Sequence, residues 1–332
     1  MSKIIPLGID ISKKSFEVNL LKNPKRGKNR KFNNNREGYS QLKKWLGEQD
    51  VEKVHACLEA TSIYGQELAL YLHEQGQLVS IVNPLRIKGY GQGQLNRTKN
   101  DRADAGLIAR FCRDLKPRAW EPSPEQVSQL QALSRRHQAL QKMMTQEQNR
   151  LHLATDAELK AEIEKHIEFL EQSLEDLKKR IQTHIQVHED LKRAHQLLTS
   201  ITGIADTTAT ILLAEIGDIT RFKSARQLAA FAGLTPQERT SGTSVSGKTR
   251  LCKIGNSLLR TALYFPAITA AHHCPAIQAF YHRLITAGKP KMQAIGAVMH
   301  KLIRIVFGVL KSGKPFDPSL LSSNNTPVSL AS

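Results

Sequence analysis

The first 120 residues alternate between short β-rich runs and amphipathic runs, and the order of these runs restricts the fold. "IIPLGIDIS" and "SFEVNLL" are separated by a short Lys-Lys turn, which predicts a β-hairpin, and "RKFNNN" can add a third strand. Helical and strand patterns then alternate through "REGYSQLKKWLGEQ", "VHACLEA", "GQELALYLHEQG" and "LVSIVNP". Three antiparallel strands followed by this alternation predict an α/β fold with a mixed sheet.

Carboxylates interrupt two of the apolar strands. Asp10 lies inside "GIDIS" and Glu59 near the end of "VHACLEA", positions that are costly unless the acid is paired or binds a cation. Asp101 and Asp104 begin the helix "NDRADAGLIARF", where capping would explain them equally well. Capping does not explain Asp10 or Glu59. We therefore expect all four to meet at one edge of the sheet and to hold two Mg²⁺ ions, because hard divalent cations relieve repulsion between carboxylates.

The charge of the chain indicates its partner. A formal net charge of +18 implies a polyanion, either nucleic acid or an acidic membrane surface. No apolar run approaches the roughly 18 residues of a membrane span, and the N-terminus lacks a signal-peptide pattern. Nucleic acid is therefore expected, with no membrane contact. The four cysteines show no metal-ligand spacing, which favours a reducing cytosol.

Two basic segments are candidate grips for nucleic acid, although a solvated loop is the alternative for each. "LKNPKRGKNRKFNNNR" is expected at the tip of the first hairpin, and "LRIKGYGQGQLNRTKN" is expected to form a glycine-bearing loop before the acidic helix. Their candidate phosphate contacts are Lys25, Arg26, Lys28, Arg30, Arg97 and Lys99.

Residues 123–198 contain no glycine and carry apolar residues in steps of four and three, which indicates a heptad seam. The seam comprises Ile163, Ile167, Leu170, Leu174, Leu177 and Ile181. A break near "ATDAEL" predicts a helical hairpin. A coiled-coil or oligomerisation arm is favoured, and helices packed on their own domain are the alternative. The expected division is 1–122, 123–198, 199–318 and a disordered tail at 319–332.

Residues 199–318 are expected to be mostly helical around the Gly/Ser-rich loop "TSGTSVSGKTR", which contains Ser241 and Ser244. Four basic residues follow and could hold a phosphate: Lys248, Arg250, Lys253 and Arg260. A serine hydroxyl is a poor nucleophile without assistance, so chemistry alone favours a polar hinge over a nucleophile.

The motifs together resemble a known family. The four acids resemble the ribonuclease-H-like superfamily, in particular its RuvC-like branch of Holliday-junction resolvases. With "GIDIS", "CLEAT", "NDRADAGLIARF", "FAGLTP" and "SGTSVSGKTRLCKIGN", the chain looks like the DEDD insertion-sequence transposases, to which Piv-type DNA invertases are related. The similarity extends from about residue 4 to 318 in the family's order.

This resemblance implies an RNA-guided DNA recombinase. It implies a RuvC-like domain whose Asp10, Glu59, Asp101 and Asp104 hold Mg²⁺, a coiled-coil arm, and a mostly helical C-terminal transposase domain. Ser241, the first serine of the loop, would attack DNA and form a phosphoserine link, with Ser244 as the alternative. The implied partners are donor and target DNA, a structured non-coding guide RNA, and further subunits in a dimer or tetramer, in the bacterial cytoplasm at the nucleoid.

Two other functions remain open at this point. A metal-dependent resolvase could hydrolyse DNA with water and would need no serine. A non-catalytic nucleic-acid-binding protein is the other possibility, but such a protein has no use for four converging acids.

Overall fold

The computed structural model describes residues 4–23, 27–60, 63–94, 100–241 and 245–322, and for 63, 238–241, 245–249 and 321–322 it describes the backbone alone. Contacts between residues divide the chain into two compact units, Met1–Pro122 and Ser123–Ser332. The expected arm and the region after it fall in the same unit, and their division into separate domains stays a prediction.

The first unit contains a five-stranded mixed sheet in the order β3-β2-β1-β4-β5. Strand β1 runs antiparallel to β2 and parallel to β4, and β4 runs parallel to β5. This confirms the predicted mixed sheet and fits a ribonuclease-H-like domain. The elements are β1 (Ile5–Ile11), β2 (Ser15–Leu20), β3 (Lys28–Asn33), α1 (Arg36–Glu48), β4 (Val54–Glu59), α2 (Gln66–Glu74), β5 (Leu78–Val82), α3 (Pro84–Gly93) and α4 (Asp101–Leu115).

Alternation along the strands separates two faces of this sheet. Leu7 and Ile9 of β1 belong to a buried cluster with the apolar residues of α1 and α2. Gly8 lies on the other face, where a Cβ atom would come within 2.1 Å of the Ala105 carbonyl oxygen of α4. Glycine at position 8 therefore lets α4 lie directly on β1, on the face toward which Asp10 projects.

Both basic segments differ from their expected positions. The glycine-bearing segment forms α3 over 84–93 because Asn83 caps the helix, accepting from the Leu85 N–H at 2.8 Å, and Pro84 occupies its first position. Arg97 and Lys99 lie outside the described residues. The other segment joins β2 to β3 and continues into β3, so it is not at the tip of the first hairpin. Lys25 and Arg26 also lie outside the described residues.

The second unit is mostly helical and includes one β-ribbon. Its elements are α5 (Glu125–Leu153), α6 (Ala157–Val187), α7 (Glu189–Thr199), α8 (Asp206–Ile216), α9 (Ala225–Phe231), β6 (Pro236–Ser241), β7 (Val245–Leu251), α10 (Ser257–Ala262), α11 (Tyr264–His273), α12 (Pro275–Thr286), α13 (Lys291–Ser312) and α14 (Ser319–Ser322). Helix α14 covers the start of the tail that was expected to be disordered, and residues 323–332 lie outside the described part.

Helices α5 and α6 form the predicted helical hairpin. Helix α5 ends at Leu153, and Asp156 caps α6 by accepting from the Leu159 N–H at 2.8 Å. The seam residues Leu170 and Leu177 are buried in the core of the unit. The chain therefore covers much of this seam itself, and oligomerisation through the arm remains a proposal.

The Gly/Ser-rich segment forms an antiparallel ribbon where a loop was expected. Strand β6 ends at Ser241, which is paired with Val245 at the start of β7. Ser244 lies outside the described residues, and the backbone alone is described at Ser241. Main-chain hydrogen bonds between the strands order the segment, although its side chains carry no apolar alternation.

Helix α13 qualifies a prediction made from composition. It is 22 residues long and contains an 18-residue stretch with a mean hydropathy of 1.5, so in the described part of the chain it is the helix that is long and apolar enough to span a membrane. Lys301 interrupts its apolar run, which conceals this length in the sequence. Val298, Leu302 and Val306 are fully buried among the other helices of the unit, as in the core helix of a globular domain.

Candidate active site

Asp10 and Glu59 lie side by side at one edge of the sheet. The parallel register places Ile9 beside Leu58, and the next residue along each strand is an acid. Both acids lie on the face covered by α4, at the carboxyl ends of parallel strands, and both are half-buried. The sheet therefore presents two neighbouring carboxylates toward the start of α4.

The start of α4 adds two more acids. Its cap is Asn100, whose Oδ1 accepts from the Ala103 N–H at 2.8 Å. Asp101 and Asp104 therefore do not cap the helix. They occupy its first turn and lie on one face because they are three residues apart.

The charges of the acids on α4 act on the two acids of the sheet. The pKa of Asp10 is raised from 3.8 to about 6. Burial contributes most to this rise, and the negative charges of Asp101 and Asp104 add to it. Burial also raises the pKa of Glu59, with contributions from Asp10 and Asp104. Each acid predicted from the sequence thus acts on another member of the set, and holding all four charged is unfavourable.

The donor chemistry of this cluster fits a hard divalent cation. Carboxylate oxygens are the ligands that Mg²⁺ prefers, and a cation would relieve the repulsion that raises the pKa of Asp10 and Glu59. In the described part of the chain, no three His, Cys, Asp or Glu side chains are grouped closely enough to hold a metal ion as they stand.

The basic candidates of the first unit have partners within the chain. Lys28 Nζ donates to Gln49 Oε1 at 2.6 Å. Arg30 Nη1 lies 3.5 Å from Glu48 Oε2, with both side chains about half exposed. Because these contacts are exposed, they are weak, and a phosphate could replace either of them.

The basic candidates of the second unit follow the ribbon. Arg250 is exposed in β7, and Lys253 is exposed in the turn beyond it with φ of +58°. Arg260 Nη1 donates to the carbonyl oxygens of Ala232 and Lys253, both at 3.2 Å. Arg260 therefore holds the turn that carries Lys253. The side chain of Lys248 lies outside the described part.

Comparison with known proteins identifies the family. Residues 7–157 match the DEDD transposase family of IS110, and residues 195–282 match the transposase IS116/IS110/IS902 family. The chain is 33% identical over 314 residues to the pilin gene-inverting protein of Moraxella bovis, which covers 94% of this chain and 97% of that protein. The chain belongs to the IS110 family of DEDD transposases. It is a DNA transposase or recombinase.

Other members of the IS110 family are similar over different lengths. An uncharacterized 43.6 kDa protein of insertion element IS110 from Streptomyces coelicolor is 36% identical over 126 residues, which cover 37% of this chain and 31% of that protein. The transposase of insertion sequence element IS1328 from Yersinia enterocolitica is 24% identical over 301 residues, 79% of this chain and 83% of that protein. Membership in this family implies DNA substrates and indicates the use of a divalent cation.

Sequence reasoning missed a fifth acid beside the carboxylates of the transposase. Glu17 lies directly opposite Asp10 in the β1–β2 pair, and its charge also raises the pKa of Asp10, less than Asp101 and Asp104 do. The signal was present, because a short turn between two strands fixes which residues face each other.

It also missed a buried carboxylate in the second unit of the transposase. Glu215 of α8 is 4% exposed and accepts from Arg135 of α5, from Nε at 2.8 Å and from Nη2 at 3.1 Å. Asn256 Nδ2 donates to the same carboxylate at 2.7 Å, while Asn256 Oδ1 caps α10. Glu215 thus fixes the chain immediately after the ribbon. An acid within "ILLAEIGD" was the available signal.

Proposed function

We propose that this transposase is an RNA-guided DNA recombinase that cleaves and rejoins donor and target DNA through a covalent serine–DNA intermediate. The observation that carries the proposal is the placement of Asp10 and Glu59 at the ends of adjacent strands, on the face packed by the helix whose first turn holds Asp101 and Asp104. The Moraxella relative is named for inverting a pilin gene, which supports strand exchange rather than simple cleavage.

The carboxylates would hold Mg²⁺, with two ions about 3.5–4 Å apart as in other phosphoryl-transfer sites. When bound, the ions would neutralise charge on the scissile phosphate and stabilise the leaving oxygen. The protein would contribute the placement of its acids: β1 and β4 fix Asp10 and Glu59, and the close contact of Gly8 with α4 fixes Asp101 and Asp104.

Ser241 would supply the nucleophile. Its Oγ would attack phosphorus, the bond from phosphorus to the departing deoxyribose oxygen would break, and the serine proton would pass to that oxygen. A phosphoserine ester retains the energy of the broken bond, so the hydroxyl of a new strand can reverse the step and join DNA without hydrolysis. The position of Ser241 at the end of a hydrogen-bonded strand, with Arg250 and Lys253 beyond it, supports this role.

The partners follow from charge and from the reaction. A net charge of +18 exceeds what one duplex requires, which supports a second polyanion, a structured guide RNA that reads donor and target by base pairing. The reaction must bring two DNA molecules together, which supports a dimer or tetramer. In such an assembly the serine of one subunit can complete the carboxylate site of another. The site of action would be the bacterial cytoplasm, at the nucleoid.

The test is a search for DNA covalently attached to protein. Purified full-length protein, Mg²⁺, donor and target DNA and RNA transcribed from the non-coding flank of the element would be incubated and then denatured in detergent. Wild type would be compared with Ser241→Ala, with Ser244→Ala as the alternative nucleophile and Ser246→Ala as the matched control.

We expect an adduct that requires RNA and Ser241 and is retained in Ser246→Ala. An adduct lost in Ser244→Ala alone would move the nucleophile to that residue. Cleaved DNA without an adduct in any protein would show hydrolysis and would overturn the covalent mechanism. An adduct that forms equally well without RNA would overturn RNA guidance.

A further inference from the structure

Helix α4 has a second face, distinct from the side that carries its acids and packs against β1. Arg102, Gly106 and Arg110, spaced four residues apart, line an open cleft of about 420 Å³. The rest of the lining is polar apart from Ala103 and comes from β2, β3 and the helix cap: Asn19, Asn29 and Asn100. No carboxylate lines this cleft within the described part of the chain.

The two guanidinium groups of the cleft face no carboxylate among its lining residues, although the charge of Arg110 lowers the pKa of Asp114 one turn further along the helix. Neither Arg102 nor Arg110 forms an ion pair among the residues that the structure describes. Arg113 of the same helix does, with its Nε 2.6 Å from Asp114 Oδ1. Arg102 is exposed and Arg110 is half-buried. Gly106 leaves the floor open between them, since a Cβ atom there would lie 3.6 Å from Arg110 Nη1 and from Asn19 Nδ2.

A chain of amides orders the wall of the cleft. Asn29 Nδ2 donates to the Arg102 carbonyl oxygen at 3.2 Å, and Asn29 Oδ1 accepts from Asn19 Nδ2. A carbonyl oxygen can only accept, so it fixes the orientation of both amides. Asn100 uses its Oδ1 in the helix cap, which leaves its amino group. Asn19 Oδ1 is a buried acceptor without a partner among the described residues, but the other groups left for a ligand, the two guanidinium groups and the amide N–H groups, are donors, the requirement for binding an anion.

We propose that this cleft binds backbone phosphates of the DNA strand whose scissile phosphate lies at the carboxylates. Arg102 follows Asp101 directly, and Arg110 lies about 12 Å further along the helix by its rise of about 1.5 Å per residue. That span corresponds to about three or four nucleotides at about 3.4 Å per nucleotide. Guanidinium groups here would offset the repulsion between DNA and the acids one helical turn away. The location relative to the scissile bond rests on the proposed function, whereas phosphate binding itself does not.

The first measurement is the salt dependence of DNA binding. Full-length protein would be titrated into a labelled 30-bp duplex (an illustrative length of about three helical turns) in EDTA without RNA. The double variant Arg102→Gln/Arg110→Gln would be compared with Arg113→Gln, the ion-paired arginine of the same helix. We expect the slope of log K against log salt to fall by about 0.9 for each lost phosphate contact, so by about 0.9–1.8 in the double variant. Arg113→Gln should keep the wild-type slope.

A second variant keeps the test independent of any effect on folding. Gly106→Asp places a negative charge on the open floor and should lower the slope without removing either arginine. Wild-type slopes in both Gly106→Asp and the double variant would overturn the proposal. So would an equal loss in Arg113→Gln, which would show that only net charge matters.

Two further readouts separate the parts of the proposal. Because the titration is done in EDTA and without RNA, the slope does not depend on the proposed catalysis, and failure of that reaction leaves the binding result unaffected. A slope change with single-stranded RNA and not with DNA would overturn the assignment to DNA. In a complex assembled on donor DNA with the RNA of the element, neutral methylphosphonates placed one at a time should weaken binding to wild type, but not to the double variant, within about four nucleotides of the cleavage point. A sensitive position elsewhere would overturn the location.

Discussion

Replacing Asp10 by asparagine should stabilise the metal-free protein at neutral pH. Burial and the charges of Asp101 and Asp104 raise the pKa of Asp10 from 3.8 to about 6, so the folded protein holds its charged form unfavourably. A carboxyl with a raised pKa in the folded state destabilises that state above pH 6, and the penalty disappears as pH falls toward 4. Asparagine keeps the shape of the side chain and removes the charge.

The size of the effect follows from this pKa. The difference between 3.8 and about 6 corresponds to about 3 kcal/mol, at about 1.36 kcal/mol for each tenfold change. Because Asp10 is half-buried, solvent screening reduces the expected gain to about 1–2 kcal/mol at pH 7.5. With a urea dependence of about 2 kcal/mol per molar, the middle of the usual range, the midpoint of unfolding should rise by roughly 0.5–1 M.

Tryptophan fluorescence follows the unfolding of the first unit, which contains Asp10. The chain has two tryptophans, Trp45 and Trp120, and both lie in the first unit. Urea unfolding in EDTA would be recorded at pH 7.5 and at pH 4, where the gain of Asp10→Asn should vanish. Glu17→Gln is the matched control, with a smaller gain because Glu17 raises the pKa of Asp10 least.

Added Mg²⁺ should make wild type more stable than Asp10→Asn. A cation that binds the folded state raises the stability of wild type by mass action, and the variant lacks one ligand. A midpoint in EDTA at pH 7.5 that is unchanged or lowered in Asp10→Asn would refute the repulsion between these carboxylates. So would a Mg²⁺-dependent gain as large in the variant as in wild type.

Two further predictions concern packing and a buried charge. Gly8→Ala should destabilise the first unit by about 1–3 kcal/mol because the added Cβ atom meets the backbone of α4. Gly47→Ala is the control: an added Cβ atom has nothing within 4 Å, and the change should stabilise the unit by about 0.5–1 kcal/mol. Urea midpoints measured by tryptophan fluorescence test both predictions. Arg135→Ala should destabilise the second unit by about 3–5 kcal/mol because it leaves the buried charge of Glu215 without its counterion, whereas Lys192→Gln, in an exposed pair, should cost less than about 1 kcal/mol. Far-UV circular dichroism follows the mostly helical unit, and similar losses in Arg135→Ala and Lys192→Gln would contradict the second prediction.

The sheet and its acids could be predicted because their causes are local. Short turns and alternating apolar residues determine β1 and β2, and an acid inside an apolar strand stands out as Asp10 and Glu59 do. Helix α3 was expected to be a loop because its glycines outweighed the cap at Asn83 and the proline after it. In the structure the cap at Asn83 and the proline at the first helical position determine the local conformation more strongly than the glycines do.

Other features depend on distant parts of the chain. The ribbon β6–β7 has no apolar alternation, so main-chain pairing determines its structure. Glu215 is satisfied by Arg135 and Asn256, which lie 80 and 41 positions away in the sequence. The cleft at Arg102 requires amides from β2 and β3, which no reading of α4 alone would supply. Such pairings become visible only when the fold is known.

Helix α4 presents its acids and a packed apolar stripe toward the sheet and its arginines on another side. Because each residue advances about 100° around the axis, inserting a single residue after Asp101 would turn Asp104 away from Glu59 and Arg110 out of its cleft at once. The α5–α6 hairpin can grow by whole heptads in both helices and keep its seam. Among related transposases, insertions and deletions should therefore accumulate in the hairpin and be absent from α4. The length of α4 sets the positions of its acids and its arginines at the same time.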